Sequence, residues 1–358
     1  MDIRNLSCLK GMIKLIIHID NKDLSETLQF AKELDEMVPD NQVIFDFTKM
    51  YKFDPLPMLF MGASIRHYRN RFPEIPFEIT GVDNGGKNYA GTMGFFKYIS
   101  SSLEIGKKPG EANGSQNYIP ITPIVIDELQ KKEYAKGNYM VLGELIEAEA
   151  SRLARVVDRG NKELHRLLTF LIREILRNTP EHAKTNTVWI CGQYWPTYEL
   201  AEIAILDEGI GIYNSLVQNA AHKEYITNNQ EALYWALKAG ISKAFRPSSK
   251  QRSTDEWANS GFGLYMVSEI CKKLNGSFCI ISGENYLLVD NQGTETGETS
   301  FHGTAIRICI SSKEISNAQK IISEICSQGE NEAKTMRTAF QTASTPSKGL
   351  IEHLKYKK

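Results

Sequence analysis

Glu174 and Asn178 stand one helical turn apart in Glu174-Ile-Leu-Arg-Asn178, so on a helix both side chains leave the same face and converge on one ligand. The Asn amide oxygen suits Mg²⁺, a hard cation that also takes phosphate oxygens and water. A Glu one turn away is placed to orient or deprotonate an attacking water or hydroxyl. Asp207-Glu-Gly209-Ile-Gly211 sets a carboxylate before two glycines, which let the backbone turn sharply and approach a ligand closely. Gly261-Phe-Gly263-Leu264 opens a helical pattern with bare backbone N–H groups that suit phosphate oxygens, and Gly303-Thr304 adds a hydroxyl at a strand entrance. Each fragment alone has a plain reading as a solvated helix face, a turn or a strand start. Their order and setting together point to one metal-bound phosphate ligand.

The elements that must position these residues are legible as patterns. Apolar spacing from 139 to 182 is helical, with Leu164, Leu167, Leu168, Leu171, Ile172, Ile175 and Leu176 forming a wide stripe, and this long helix carries the first motif. Pro180 removes a backbone donor and predicts that the helix kinks or ends there. Strand patterns at 187–194 and 199–206 deliver the chain to Asp207. Residues 212–260 are polar and mixed, with a helical piece at 231–238, and are expected to form a lid. A helix over 263–274 and strands near 277–282, 286–290 and 304–310 complete this domain. Upstream, residues 12–100 alternate apolar 12–19, helical 24–37, apolar 42–47, helical 56–72 and 77–80, which implies a small α/β domain.

Length and composition fit two domains: a small α/β domain over 1–125, a linker at 126–136, the phosphate-binding domain over 137–312, and a C-terminal helix and mobile tail over 313–358. Ile119 to Ile126 is expected as a strand before the second domain. A net charge of -1 supplies no global attraction to nucleic acid. The apolar run Ile13 to Ile19 is far shorter than the roughly 20 residues needed to span a bilayer, so no membrane segment is expected. Cys8, Cys191, Cys271, Cys279, Cys309 and Cys326 form no C-x-x-C pair, which points to a reducing, cytoplasmic setting.

The ordered fragments resemble the GHKL (Bergerat-fold) ATPase superfamily, which includes topoisomerase, Hsp90 and MutL ATPases, histidine kinases and anti-sigma-factor serine kinases. The resemblance covers roughly residues 137–312. It implies an α/β sandwich, a mixed sheet covered by helices, and ATP with Mg²⁺ as ligands. By the same resemblance Glu174 is the catalytic base and Asn178 the Mg²⁺ ligand, and Asp207 accepts from the adenine amino group with Thr304 in support. Gly209, Gly211, Gly261, Gly263 and Leu264 shape the pocket. Lys243, Arg246, Lys250 and Arg252 lie in the expected lid, within reach of a γ-phosphate. His182 is assigned no catalytic role.

Val43-Ile-Phe-Asp46-Phe-Thr48, followed by Phe53-Asp54-Pro55, resembles a STAS-type domain over residues 10–100. Phosphorylatable relatives carry a Ser just after the Asp of that turn, where this chain has Pro55, Leu56 and Pro57. Neither His165, on the helix running into Glu174, nor His67 resembles a histidine-kinase acceptor. Too few residues follow Thr304 for a transducer domain. The expectations are therefore an ATPase switch or a serine/threonine-type protein kinase acting on an unidentified regulatory partner, with a homodimer conceivable. The alternative is a nucleotide-dependent binding module without turnover.

Overall fold

The structure, a computed structural model, describes residues 4–9, 12–20, 23–82, 87–137, 140–179, 185–245 and 260–349. An antiparallel strand pair begins the fold, and helices and strands then alternate. β1 (Arg4–Leu9), β2 (Met12–His18), β3 (Gln42–Asp46) and β4 (Phe77–Thr80) form a sheet in that order, with β1–β2 antiparallel and the other pairs parallel. Parallel pairing requires crossovers, supplied by α1 (Leu24–Glu36) and α2 (Pro55–Arg71). Asp23 starts α1 with a reciprocal capping box to Glu26, and Pro55 starts α2, where its missing N–H costs nothing. α3 (Lys87–Met93) and α4 (Phe95–Ile99) follow, the latter seating Phe95 and Phe96 edge-on against Phe47.

The second sheet runs β5 (Tyr118–Val125), β6 (Thr187–Trp195), β7 (Leu200–Asp207), β9 (Thr294–Ser311), β8 (Ser277–Asp290). Every adjacent pair in it is antiparallel, where a mixed sheet was expected. β5 pairs with β6, so the first domain ends before Tyr118 and not at 125. The expected linker at 126–136 is a helix, α5 (Ile126–Ala135), tied to the second sheet by Ile126 N–H donating to the Asn186 carbonyl at 2.9 Å.

The expected long helix is two: α6 (Leu142–Val157) and α7 (Lys162–Asn178). Arg159 and Gly160 both take positive φ between them, and the Asn161 side chain caps the restart by accepting from the Glu163 and Leu164 N–H groups. Pro180 and His182 lie outside the described residues. The polar stretch after Asp207 holds α8 (Gly211–Leu216), α9 (Ala220–Lys223) and α10 (Asn229–Ala236). Much of its polarity is capping: Asn219 and Asn228 accept from the first turns of α9 and α10. Leu216, Ile226, Ala232, Leu233 and Ala236 are buried beneath it, so 211–236 is packed structure. The remainder of the expected lid, 246–259, lies outside the described residues.

α11 (Gly263–Lys273) and α12 (Ala318–Ala333) join α6 and α7 on one face of the second sheet. α2 covers the other face. β7 shows how one strand serves both: Ile203 and Ile205 face the α7 and α11 side, while Ala204 and Leu206 join the core containing α2. Cys191, Ala204, Cys279 and Ala305, small side chains all, line that second face and admit the helix closely. Pro55 through Ile65 are therefore buried all round, which is why α2 lacks an amphipathic stripe.

The C-terminal segment, expected as a mobile tail, is docked as far as residue 349. Phe340 N–H donates to the Gly240 carbonyl at 2.8 Å, and the Tyr225 and Thr338 hydroxyls pair at 2.9 Å. It ends in the short helix α13 (Thr345–Lys348), whose Pro346 and Ser347 are buried. Among the described residues no helix is long and apolar enough to cross a membrane.

Candidate functional site

α7 is buried from Leu167 to Arg177, and its last turn brings Asn178 to the wall of a cleft, with Glu174 enclosed one turn earlier. One chamber is walled by Ile175, Asn178, Asp207, Gly211, Leu264 and Thr304. A second, continuous with it through Asn178, Ile212, Ser215 and Leu264, is walled also by Gly261 and Gly263. The four motifs thus converge on one narrow space between α7, the end of β7, the start of α11 and β9.

Close backbone approach holds this space open. At Gly303 a Cβ would sit 2.1 Å from the Asp207 carbonyl oxygen, so only glycine lets β9 run beside the end of β7. Gly261 has φ +72, and a Cβ there would meet the Ile241 carbonyl at 2.5 Å. Ser282 staples two motifs together: its Oγ accepts from Ile212 N–H at 2.9 Å, donates to the Gly303 carbonyl at 2.7 Å and occupies the space a Gly211 side chain would need.

Asp207 Oδ1 accepts from Gly209 N–H at 2.9 Å. Burial, with the neighbouring Glu208 charge, pushes its carboxyl up to about 6 despite donors from Gly209 and Thr304. Glu208 behaves oppositely. Against the cost of burial, His67 and Arg66 of α2, each 2.6 Å away, hold it down to about 2. Arg66 also lies 4.3 Å from the centre of the Tyr98 ring and donates to the Tyr98 carbonyl. The first domain therefore grips the residue next to Asp207, a contact that no local pattern disclosed.

The Asn178 Nδ2 is buried without a partner. An amide turned by half a rotation presents Oδ1 at the same place, so this side chain has an unmet demand on the cleft side of α7. That demand fits a magnesium–phosphate ligand. Glu174 is different, being only 2% exposed. Its Oε1 accepts from Arg173 Nη2 at 2.9 Å and pairs with Arg177 at 3.5 Å, while Oε2 accepts from Ser347 Oγ at 3.0 Å. Although burial opposes it, Arg173 and Arg177 keep the carboxyl below its ordinary range. Arg173, fully buried, is shared with Glu147 at 2.9 Å and donates to the Pro346 carbonyl at 2.6 Å.

Lys243 follows Ser242, which lines the cleft, and its carbonyl accepts from Asn219 Nδ2 at 3.1 Å. Arg246, Lys250 and Arg252 lie outside the described residues. Pro55, Leu56 and Pro57, at the turn where a STAS-type phosphoacceptor would stand, are buried at the start of α2 against the second sheet.

An antiparallel sheet backed by helices, with a helix-borne Glu and Asn facing an Asp-Gly turn and a glycine-opened helix, defines a GHKL-type ATP-binding domain. Residues 163–314 match the family described as histidine kinase-, DNA gyrase B- and HSP90-like ATPase. The match begins at α7 and leaves the first domain, including its STAS resemblance, unsupported. Comparison with curated proteins and with solved structures found no match.

Proposed function

We propose that the protein is a Mg-ATP-dependent regulatory protein that performs phosphoryl transfer at Glu174, as an ATPase switch or a serine/threonine-type kinase. The observation that carries this reading is the convergence of Asn178, Asp207, Gly261, Gly263 and Thr304 on one cleft, with the Asn178 amide unsatisfied at its wall. Asp207 and Thr304 would take the adenine, the backbone N–H groups at the start of α11 the phosphates, and Asn178 the Mg²⁺. Bound Mg²⁺ would neutralise charge developing on the phosphates during transfer. Glu174 accepts the proton of the attacking hydroxyl or water, while Arg173 and Arg177 hold the carboxylate in place.

The grip of α2 on Glu208 supports a regulatory role, since the first domain touches the turn that carries the adenine acceptor. A second reading, nucleotide binding without hydrolysis, is favoured by Glu174 itself: both oxygens accept from protein donors while α13 is docked. Calorimetry together with phosphate-release and protein-labelling assays tests the proposal. Asn178→Ala is expected to abolish Mg-ATP binding, and Glu174→Ala to keep binding and lose turnover by about 10²–10⁴-fold. Undiminished Mg-ATP binding by Asn178→Ala would falsify it.

A further inference from the structure

The contact between Ser347 and Glu174 joins residues separated by most of the second domain. Ser347 Oγ donates to Glu174 Oε2 at 3.0 Å, and both residues are 2% exposed. The same oxygen is the one nearest the start of α11: a Cβ on Gly263 would lie 3.0 Å from it. One turn earlier, Ser344 N–H donates to Ser260 Oγ at 2.8 Å, beside Gly261. The hydroxyl is thus held on the carboxylate assigned as base, next to the helix start assigned to the phosphates.

We propose that Ser347 is the protein's own phosphoacceptor, modified within the same chain by the ATP bound in the cleft. This rests on the phosphoryl-transfer reading above and names its acceptor. Ser347 Oγ attacks the γ-phosphorus as its proton passes to Glu174 Oε2. An Oγ–P bond forms, the bond from the γ-phosphorus to the β,γ-bridging oxygen breaks, and ADP leaves with that electron pair. The products are phosphoserine and ADP, and the proton leaves Glu174 for solvent.

A loose transition state asks little nucleophilicity of the hydroxyl, so a carboxylate that orients it and accepts its proton suffices. Arg173 and Arg177, paired to Glu174, supply positive charge beside the transferring group. Burial favours the intramolecular route, because an external kinase has no access to a hydroxyl enclosed by α7 and α13. It also selects serine over water, since Ser347 occupies the position on Oε2 from which water would attack. The product ends the arrangement: a phosphate of roughly -1.5 to -2 charge beside Glu174 repels it, and α13 leaves Arg173 and Ser260.

Full-length protein incubated with Mg-ATP over a hundredfold range of protein concentration, followed by intact and peptide mass spectrometry, tests this. About one phosphate per chain is expected on Ser347, appearing at a rate independent of protein concentration. Ser347→Ala is expected to abolish it, Ser347→Thr to retain it, and Glu174→Gln to slow it by about 100-fold or more. Nucleotide affinity, measured in parallel, reports that each variant is folded. If the chain binds Mg-ATP but Ser347 stays unmodified, if Ser347→Ala is labelled equally, or if the rate scales with concentration, the assignment is overturned while ATP binding stands. If no nucleotide binds, the underlying reading falls with it.

Discussion

Asp207 shows at residue scale what burial does to a carboxyl. Its carboxyl is pushed up to about 6 by burial and the Glu208 charge. In the proposed contact the ionised form is the better acceptor for an adenine amino group, so nucleotide binding and protonation would compete. The account therefore predicts ATP affinity that is flat above about pH 6 and falls below it by up to tenfold per pH unit, measured by calorimetry between pH 5 and 8. Asp207→Asn is expected to weaken binding by about 1.5–3 kcal/mol at pH 7.5 and to flatten the profile. An unchanged pH dependence in that variant would remove Asp207 from the adenine contact. The helix turn shared by Glu174 and Asn178, the strand end at Asp207 and the turn at Gly261 were legible because each obeys a local rule of helix periodicity or backbone freedom. Ser347 and the Arg66–His67–Glu208 group were not, because their meaning lies in contacts between distant parts of the chain. Arg173 was visible beside Glu174, but its sharing with Glu147 and Pro346 was not.

At the scale of elements, the helices and strands of the first domain follow their hydrophobic periods closely: α1, β3 and β4 match the sequence patterns to within a residue or two. Reading failed where a break was made by backbone conformation, as at Arg159-Gly160, or where a break was inferred that a bulge absorbs, as at Ser282–Asn285 within the continuous β8. The joint between α2 and the second sheet has a polar pin. Glu202 Oε1 accepts from Leu56 N–H at 3.1 Å, and Oε2 from Arg307 Nε at 2.9 Å. Glu202 is 2% exposed, so Glu202→Ala strands both donors and is predicted to destabilise the protein by about 3–5 kcal/mol in urea denaturation. Glu202→Gln, which keeps an acceptor for Leu56, is expected to cost less. Equal costs would show that the bond to α2 contributes nothing. Along the same helix, Arg66→Ala leaves Glu208 with His67 alone and is expected to weaken ATP binding by about 0.5–2 kcal/mol, a direct reading of coupling between the domains.

Across the whole molecule, two sheets share one helix. The core that contains Phe45, Phe60 and Met61 of the first domain also contains Cys191, Leu206, Ile281 and Phe301 of the second, so the first domain's core is completed by the second sheet. This arrangement was not legible, because an α/β rhythm and a loop-rich stretch at 108–115 suggest two independent domains with a linker. A fragment starting at residue 112 would expose the apolar sheet face and is predicted to aggregate, whereas the full chain unfolds in one cooperative step. A soluble, monomeric fragment with a transition of its own would refute the shared core. The docked segment 337–349 extends the same logic, fastened beside the cleft through Phe340 and Ser344. The most direct test of the central claim is hydrogen–deuterium exchange of the full chain with and without Mg²⁺ and a non-hydrolysable ATP analogue. Slowed exchange is predicted in peptides covering 174–179, 207–216 and 260–264, and only when both are present. Unchanged exchange in all three at saturating nucleotide would contradict the account.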